Sequence, residues 1–216
     1  MRSKIVNREK IISLFHDGQI IAVGGQANHG APNLLLDCIV ESGVKHLTTI
    51  SLDTGDVNAS IGKLIHNNMV DRAIVAYAKV NPEGIEQYKA GKLKFEFVPM
   101  GTLMERVRCG GMGLGGVLTK TGLGTVVEKN REKVMIGADY YLIEPALRAD
   151  VSITLARKAD PIGNLSYHGT DHNSNPIFAT AADISIVEAD FICDINEMNS
   201  DEIKVPFAFV DYILER

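Results

Sequence analysis

Gly24 and Gly25 close the apolar run Ile20-Ile21-Ala22-Val23, and Gly30 and Pro32 then open a helical pattern, with Gln26, Ala27, Asn28 and His29 between them. Glycine carries no Cβ, so a pair of them lets the backbone come close to a ligand. Free N–H groups of such a turn, aimed with a helix N-terminus, suit a phosphate, carboxylate or thioester oxygen. The spacing is not G-x-G-x-x-G, which disfavours a dinucleotide site. A tight strand-to-helix turn without a ligand would use the same glycines. His29 could hydrogen-bond a phosphate or carboxylate, or simply face solvent.

Other constellations carry less. Cys109-Gly110-Gly111-Met112-Gly113-Leu114-Gly115-Gly116 reads as a second glycine-rich loop, lining a channel through its N–H groups or closing against another subunit. Thr102-x-x-Glu105 has the form of a capping box with Gly110 ending a short helix, which makes Glu105 structural. His168, Asp171 and His172 suggest a metal only weakly, because no third firm ligand is evident and zinc sites take three or four. There is no G-x-S-x-G elbow, and Ser42 before Gly43 reads as a helix C-terminus with Glu41 on the surface.

The elements that must position these residues alternate. Asn7 can cap a first helix with Ile11, Ile12, Leu14 and Phe15 on one face. Strands are expected at Ile20–Val23, Leu47–Ser51, Ala73–Ala76 and Phe95–Pro99, with helices at Pro32–Ser42, Ile61–Asn67 and Pro82–Ala90 between them. Such alternation predicts an α/β fold, an open and mostly parallel sheet covered by helices. Ligands on these sheets sit beyond the carboxyl ends of the strands, where Gly24-Gly25 and Pro99-Met100 should fall. Short β-like runs at Thr125–Val127, Val134–Ile136 and Tyr140–Ile143, with Gly137-Ala138 between the last two, predict a small β-hairpin flap. Val151–Ala156 and Ile184–Val187 then read as buried strands returning to the main sheet, so residues 1–216 are expected to form one domain.

A chain of 216 residues can bury a substantial core, about 70% of its unfolded surface. Hydrophobic residues make up 45% and charged residues 23%, as in ordinary globular proteins. The formal net charge of −5 argues against a nucleic-acid surface or an anionic membrane. Cys38, Cys109 and Cys193 form neither a disulfide framework nor a CxxC site. With no apolar leader pattern after Met1-Arg2-Ser3-Lys4 and no run long enough to span a bilayer, a cytoplasmic protein is expected.

Read with Asp17-Gly18 before the strand and Gly30-x-Pro32 after it, the glycine segment resembles the signature of class I coenzyme A transferases. The likeness continues through Asp53-Thr54-Gly55, Ile61-Gly62-Lys63-Leu64-Ile65, Asn81-Pro82-Glu83, Pro99-Met100-Gly101-Thr102-Leu103 and Glu105-Arg106-Val107-Arg108-Cys109-Gly110-Gly111. It extends to Thr121-Gly122-Leu123-Gly124-Thr125, Leu147-Arg148-Ala149-Asp150, Gly163-Asn164 and Asn173-Ser174-Asn175-Pro176. Order and spacing together are more specific than any one motif. Over nearly its whole length the chain resembles the alpha (A) subunit of acetoacetate-type, short-chain 3-oxoacid CoA-transferases.

The resemblance implies covalent ping-pong catalysis. A glutamate attacks the acyl-CoA carbonyl, giving an acyl-glutamyl anhydride and free CoA thiolate. The thiolate returns to form a glutamyl-CoA thioester, from which CoA passes to the second carboxylate, and each tetrahedral step needs an oxyanion hole. In two-subunit members that glutamate resembles a beta-subunit feature, within an S-E-N-G-type motif absent from this sequence. The resemblance therefore implies no catalytic residue in this chain, a beta-subunit partner in an alpha2-beta2 heterotetramer, and no activity alone. Coenzyme A or acyl-CoA would be a substrate and no cofactor would be bound permanently. Gly24, Gly25, Gln26, Ala27, Asn28, His29 and Gly30 would bind CoA, while Lys79, Met100, Gly101, His172, Asn173, Ser174 and Asn175 would form the substrate pocket.

Several positions depart from the family pattern. Its phenylalanine after the two glycines is Gln26, and the glutamine of P-Q-G-T, implied to bind the thioester oxygen, is Met100. The arginine and phenylalanine of R-N-F-N are His172 and Ser174, and a glycine and threonine are Lys79 and Val80. These changes replace an aromatic lining with polar groups and add a cation, which points to an acid more polar than acetoacetate, with an amino, hydroxy or second carboxylate group. Drift with the ordinary substrate retained is the alternative. Rival functions are a sugar-phosphate isomerase or deaminase active alone, and a non-catalytic ligand sensor. A thioether cannot donate a hydrogen bond, so the amide of Gln26 is expected to replace the lost donor from the opposite loop. Gln26→Ala should then lower turnover; unaffected steady-state kinetics would dismiss the assignment.

Overall fold

Strand and helix alternate through the first half of the chain, in a computed structural model that describes residues 2–216. Of the N-terminal stretch read above, Met1 lies outside them. The elements are α1 (Arg8–Ile12), β1 (Ile20–Val23), α2 (Asn33–Ser42), β2 (Leu47–Ile50), α3 (Gly62–His66), β3 (Val70–Val75), α4 (Pro82–Lys89), β4 (Lys94–Phe97) and α5 (Met100–Gly111). Asn7 caps α1, its Oδ1 accepting the Lys10 N–H at 3.0 Å, and Ile11 and Phe15 enter the core. α2 stops at Gly43, whose φ of 73° is the left-handed conformation that glycine adopts without strain.

Next come β5 (Gly116–Thr119), β6 (Lys133–Ile136) and β7 (Asp139–Pro145), a separate antiparallel sheet in the order β5-β7-β6. The chain then returns through β8 (Ala149–Ala159), β9 (Leu165–Ser166), α6 (Asn175–Phe178), β10 (Ala182–Ile192) and β11 (Tyr212–Glu215). The main sheet runs β11-β10-β8-β1-β2-β3-β4, parallel along that path, with β9 antiparallel on β8. This is the open, mostly parallel architecture expected from the alternation. The order reverses at β1, with β2 to β4 on one side and β8 to β11 on the other. The carboxyl end of β1 is therefore a topological switch point, where such sheets leave a crevice.

Successive strand residues point to opposite faces, and both faces are covered. Ile21, Val23, Val75 and Ile153 pack with Leu35, Leu36 and Ile39 of α2 and Leu64 of α3. On the other face Ala22, Ile50 and Ile74 meet Leu103 and Val107 of α5 and Phe178 of α6. A strand buried on both faces has no polar side to show, which is why β1 reads as an unbroken apolar run. Among the described residues, no helix is long and apolar enough to cross a membrane.

Three expectations are corrected. Thr125–Val127 is a turn rather than a strand, because Thr125 Oγ1 donates to Gly122 O (2.7 Å) and accepts the Val127 N–H (3.2 Å), closing the segment locally. The expected hairpin forms from β6 and β7, and β5 adds a third antiparallel strand to it. The capping box also fails: α5 begins at Met100, Thr102 Oγ1 is buried with no hydrogen-bond partner among the described residues, and Glu105 pairs with Arg108 at 2.8 Å. Nor does Gly110 end the helix. A Cβ there would overlap Leu147 O, and one at Gly111 would overlap Thr180, so both glycines serve close packing of the returning chain.

Charge ties the flap to the main sheet. Arg106 of α5 donates to Pro145 O (2.7 Å) and lies 3.4 Å from Glu96 of β4, while Arg131 meets the buried Glu144 of β7 at 2.9 Å. Arg72 pairs with Glu96 from β3. Burial pushes the Glu96 carboxyl up, but Arg72 and Arg106 outweigh it and hold it below its ordinary value. A depressed carboxyl stabilises the fold above its unfolded pKa, and that contribution disappears as pH falls through the folded value. Glu96→Gln is thus expected to lower Tm by about 2–4 °C near neutral pH. The deficit should begin to shrink as pH falls below about 4.3, the ordinary glutamate value, and vanish only once the depressed folded carboxyl is itself protonated. A deficit unchanged by acid in thermal unfolding scans would contradict this.

Candidate functional site

The glycine turn begins where β1 ends. Gly24 N–H donates to Ile153 O (2.9 Å), extending the ladder to β8 by one bond. A Cβ on Gly24 would overlap Asn175 Oδ1, and Gly25 holds φ at 103°. Both residues are buried, so it is the chain's own packing, rather than room for a ligand, that requires these two glycines. Three consecutive residues hold the turn. Ser174 Oγ accepts the Gly25 N–H (2.9 Å) and donates to Gly25 O (3.0 Å). Asn175 donates to Gly30 O (3.0 Å) while its Oδ1 accepts the Leu155 N–H (3.1 Å), and Asn173 donates to His29 O (3.1 Å). Ser174 and Asn175, read as pocket residues, are fully buried and act on the turn instead.

Beyond Gly25 the backbone folds on itself. Gln26 and His29 exchange main-chain bonds of 3.0 and 2.9 Å, and the two residues between them, Ala27 and Asn28, have φ of 47° and 71°. Positive φ at both centres is the pattern of a type I′ turn, for which asparagine is well suited and alanine is not. A residue with a Cβ is strained there by about 1–2 kcal/mol. Asp53 holds it in place: Oδ2 accepts the Ala27 N–H at 2.8 Å.

The turn offers fewer free amides than expected. The N–H groups of Gly24, Gly25, Gln26, Ala27 and His29 all have acceptors within the chain. Among the described residues, those of Asn28 and Gly30 have none. The N-terminus of α2 is occupied too. Glu188, fully buried on β10, accepts the Leu34 and Leu35 N–H groups at 2.8 and 3.2 Å, and its other oxygen lies 2.9 Å from Arg216. Burial pushes the Glu188 carboxyl up, and the Leu35 N–H works against that shift. A carboxylate already fills the position that a ligand anion would need.

Side chains at the ends of β1, β2, β3 and β4 meet in a row. Asp53 and Tyr77 are register partners just beyond β2 and β3. Asp53 is buried, with Oδ1 accepting the Gly55 N–H (2.7 Å) and Oδ2 accepting the Tyr77 hydroxyl (3.0 Å) as well as Ala27. Burial, then the charge and hydrogen bond of Asp53, push the Tyr77 phenol up, while a hydrogen bond from the Gln26 side chain acts in the opposite sense. Gln26 Nε2 also points at Met100 Sδ, 3.8 Å away at the start of α5. The opposite loops do meet at these two positions. Asp53 and Tyr77 were not foreseen as site residues, although a carboxylate directly behind an apolar strand is a signal the sequence carried.

Gln26, Ala27, His29 and Asn173 line a shallow cavity of about 340 Å³ with Gly169 and Thr170. The other expected pocket residues lie outside that lining. Lys79 is exposed in the turn before α4, Gly101 is exposed on α5, and exposed His172 has its ring 5.8 Å from that of Tyr167. A larger groove of about 740 Å³ at the β11 edge, lined by Lys4, Lys10, Phe207 and Tyr212 among others, shares no residue with this cluster. Among the described residues, no three His, Cys, Asp or Glu side chains are placed to share a metal ion. Cys38 is no nucleophile at neutral pH, since burial pushes its thiol up to about 11.

Sheet, switch-point crevice and stitched glycine turn define an α/β protein of the CoA-transferase type. The family model described as Coenzyme A transferase matches residues 6–216, and the chain belongs to that family. It is 43% identical over 215 residues to the acetoacetyl-CoA:acetate/butyrate CoA transferase alpha subunit of Clostridium acetobutylicum, covering 100% of this chain and 99% of that one. It is 40% identical over 214 residues to the acetate CoA-transferase subunit alpha of Escherichia coli, covering 99% and 97%. Glutaconate coenzyme A-transferase from Acidaminococcus fermentans shares the fold with a TM-score of 0.86 at 20% identity, over 99% of this chain and 75% of that one. So does a variant of the decarboxylase AibA/AibB, with a TM-score of 0.84 at 21% identity over 100% and 84%.

The packing at Gly24 has a direct consequence. Gly24→Ala should destabilise the fold by about 1–3 kcal/mol, the usual cost of forcing atoms into a filled site. Denaturant unfolding of the variant would show it; wild-type stability would mean that Asn175 yields easily.

Proposed function

We propose that this chain is the alpha subunit of a CoA-transferase that moves CoA between a short-chain acyl-CoA, acetyl-CoA or butyryl-CoA, and a short 3-oxo acid such as acetoacetate. The observation that carries the reading is the 43% identity to an alpha subunit of that activity across the full length of both chains. Residues 1–216 act as a single domain paired with a beta subunit, as an alpha2-beta2 heterotetramer in the cytoplasm. CoA thioesters are its substrates, and no cofactor is permanently bound.

The chemistry divides between the subunits. Ping-pong transfer needs a carboxylate nucleophile, and the two buried carboxylates beside this turn are committed elsewhere. Asp53 accepts from Gly55, Ala27 and Tyr77, and Glu188 caps α2. This supports a nucleophilic glutamate on the partner. The alpha chain supplies donors for the negative oxygen that develops at each tetrahedral step. Gln26 Nε2 is the side-chain donor, and the Asn28 and Gly30 N–H groups are the main-chain ones. Gln26, Ala27, Asn28, His29 and Gly30 contact CoA, with Asn173 at the edge of the acyl pocket.

A more polar acid is the second reading, favoured by the Gln26, His29, Thr170 and Asn173 lining of the cavity. Lys79 and His172 lie outside that lining and give it less support. CoA exchange followed by mass spectrometry on the natively co-purified complex decides between them. Butyryl-CoA and acetyl-CoA are offered with 3-oxo, 3-hydroxy, amino and dicarboxylic acids. Transfer to acetoacetate is the expected result. Transfer only to a more polar acid would replace the substrate, and none at all would overturn the transferase reading.

A further inference from the structure

We propose that β6 is a contact between copies of this chain, pairing antiparallel with β6 of a second copy across a two-fold axis. The inference rests on the transferase reading above, in which the alpha chain occurs twice, and says where the two copies meet. β6 lies at the edge of the flap, bonded to β7 on one side and, among the described residues, to no strand on the other. Alternate N–H and C=O groups of an edge strand point away from its neighbour and form a template for another strand. Proline, a bulge or an inward-pointing charge normally guards such an edge. Val134, Met135 and Ile136 supply none of these, and their register with β7 runs without a shift. Residues opposite one another share a face. Met135 and its register neighbour Tyr140 are therefore together on one face, 60% and 55% exposed. Val134 and Ile136 are on the other, with Ile136 52% exposed.

Self-complementarity identifies the occupant. A two-fold axis normal to the sheet through Met135 sets that residue opposite the partner's Met135, and Val134 opposite the partner's Ile136. Each apolar side chain then meets an apolar one on its own face, as the two-residue period requires. Lys133 falls opposite the partner's Gly137 rather than another cation, and its ammonium is already paired with Glu128. The Lys120–Asp139 pair of the flap, at 2.8 Å, is likewise closed within the chain. These charges leave nothing for an opposite charge on a different protein to meet, whereas contacts between unlike chains are matched in potential. Met135, Ile136 and Tyr140 offer on the order of 400 Å² per copy, half of what one side of a standard interface buries. The contact is thus one that holds within the assembled complex.

Cysteine chemistry reads the register in the co-purified complex. Opposed residues of an antiparallel pair lie about 4.5–5.5 Å apart at Cα, within disulfide range, and residues two places out of register do not. Under a mild thiol oxidant, Met135→Cys is expected to carry most of the alpha chain into a covalent pair on a non-reducing gel. Ile136→Cys and the parent complex, whose Cys38 and Cys109 are buried, should give almost none. A second arm needs no oxidant. Met135→Asp sets two carboxylates against each other, and native mass spectrometry should show the complex halved, with one alpha and one beta chain. Absence of the Met135→Cys pair, a pair formed equally by Ile136→Cys, or a Met135→Asp complex that stays whole would overturn the inference. So would loss of the beta chain from that variant, because the edge would then hold the beta subunit instead. If Met135→Asp fails to fold, the cysteine result decides alone. A parent complex that transfers CoA to no acid would overturn the transferase reading and leave this contact standing.

Discussion

Asn175 Oδ1 lies where a Cβ on Gly24 would stand, and the geometry of the site follows from that one close approach. The same oxygen accepts the Leu155 N–H just past the point where β1 leaves β8, and the amide nitrogen reaches Gly30 O across the turn. Two stretches separated by most of the chain are thereby stitched at the switch point of the sheet. Ser174 and Asn173 add the Gly25 and His29 bonds. A turn held at both ends can keep Ala27 and Asn28 at positive φ, which an unsupported loop would release.

Buried carboxylates then decide which amides remain. Asp53 and Glu188 accept four main-chain N–H groups between them, at Gly55, Ala27, Leu34 and Leu35. Those around the turn and the start of α2 would otherwise make a general anion site. With these positions filled, the groups proposed to meet CoA are few: Gln26, His29, Asn173 and the amides of Asn28 and Gly30. For a chain of net charge −5 that handles a polyanionic substrate, little room is left for long-range attraction. In the proposed reading this places the weight on donors aimed at one oxygen. A decarboxylase variant with the same fold shows that the sheet does not choose the reaction.

The flap follows a different logic. Arg106, Arg131 and Arg72 gather around Glu96 and Glu144, so the antiparallel sheet is fastened by charge to the helix that begins with Met100. Buried ion pairs of this kind contribute less to net stability than to holding one arrangement over others. Outward, Leu118, Met135, Ile136 and Tyr140 remain exposed. The structure thus places the rigid contact on the side of the main sheet and the apolar one on the side of solvent.

Much of the fold was legible because its signals are local. Apolar runs marked β1 and β8, Asn7 marked the start of α1, and Gly43 marked the end of α2. Family membership was legible too, since order and spacing of motifs survive where single residues change. The misreadings fell where partners are distant. Gly24 reads as an opening for a ligand until Asn175 is seen against it, and Gly110 reads as a helix stop until Leu147 is seen beside it. Thr102 and Glu105 have the spacing of a cap but are already helical, behind a start at Met100. Lys79 and His172 look like specificity residues by position, yet neither lines the cavity beside the turn. The sequence by itself determined the alternation of elements, the strand-end location of the turn and the family. Only the tertiary structure decided which amides were already satisfied and which way Gln26 faces, because a hydrogen bond is taken by whichever partner folding brings near, and that partner was often more than 100 residues away.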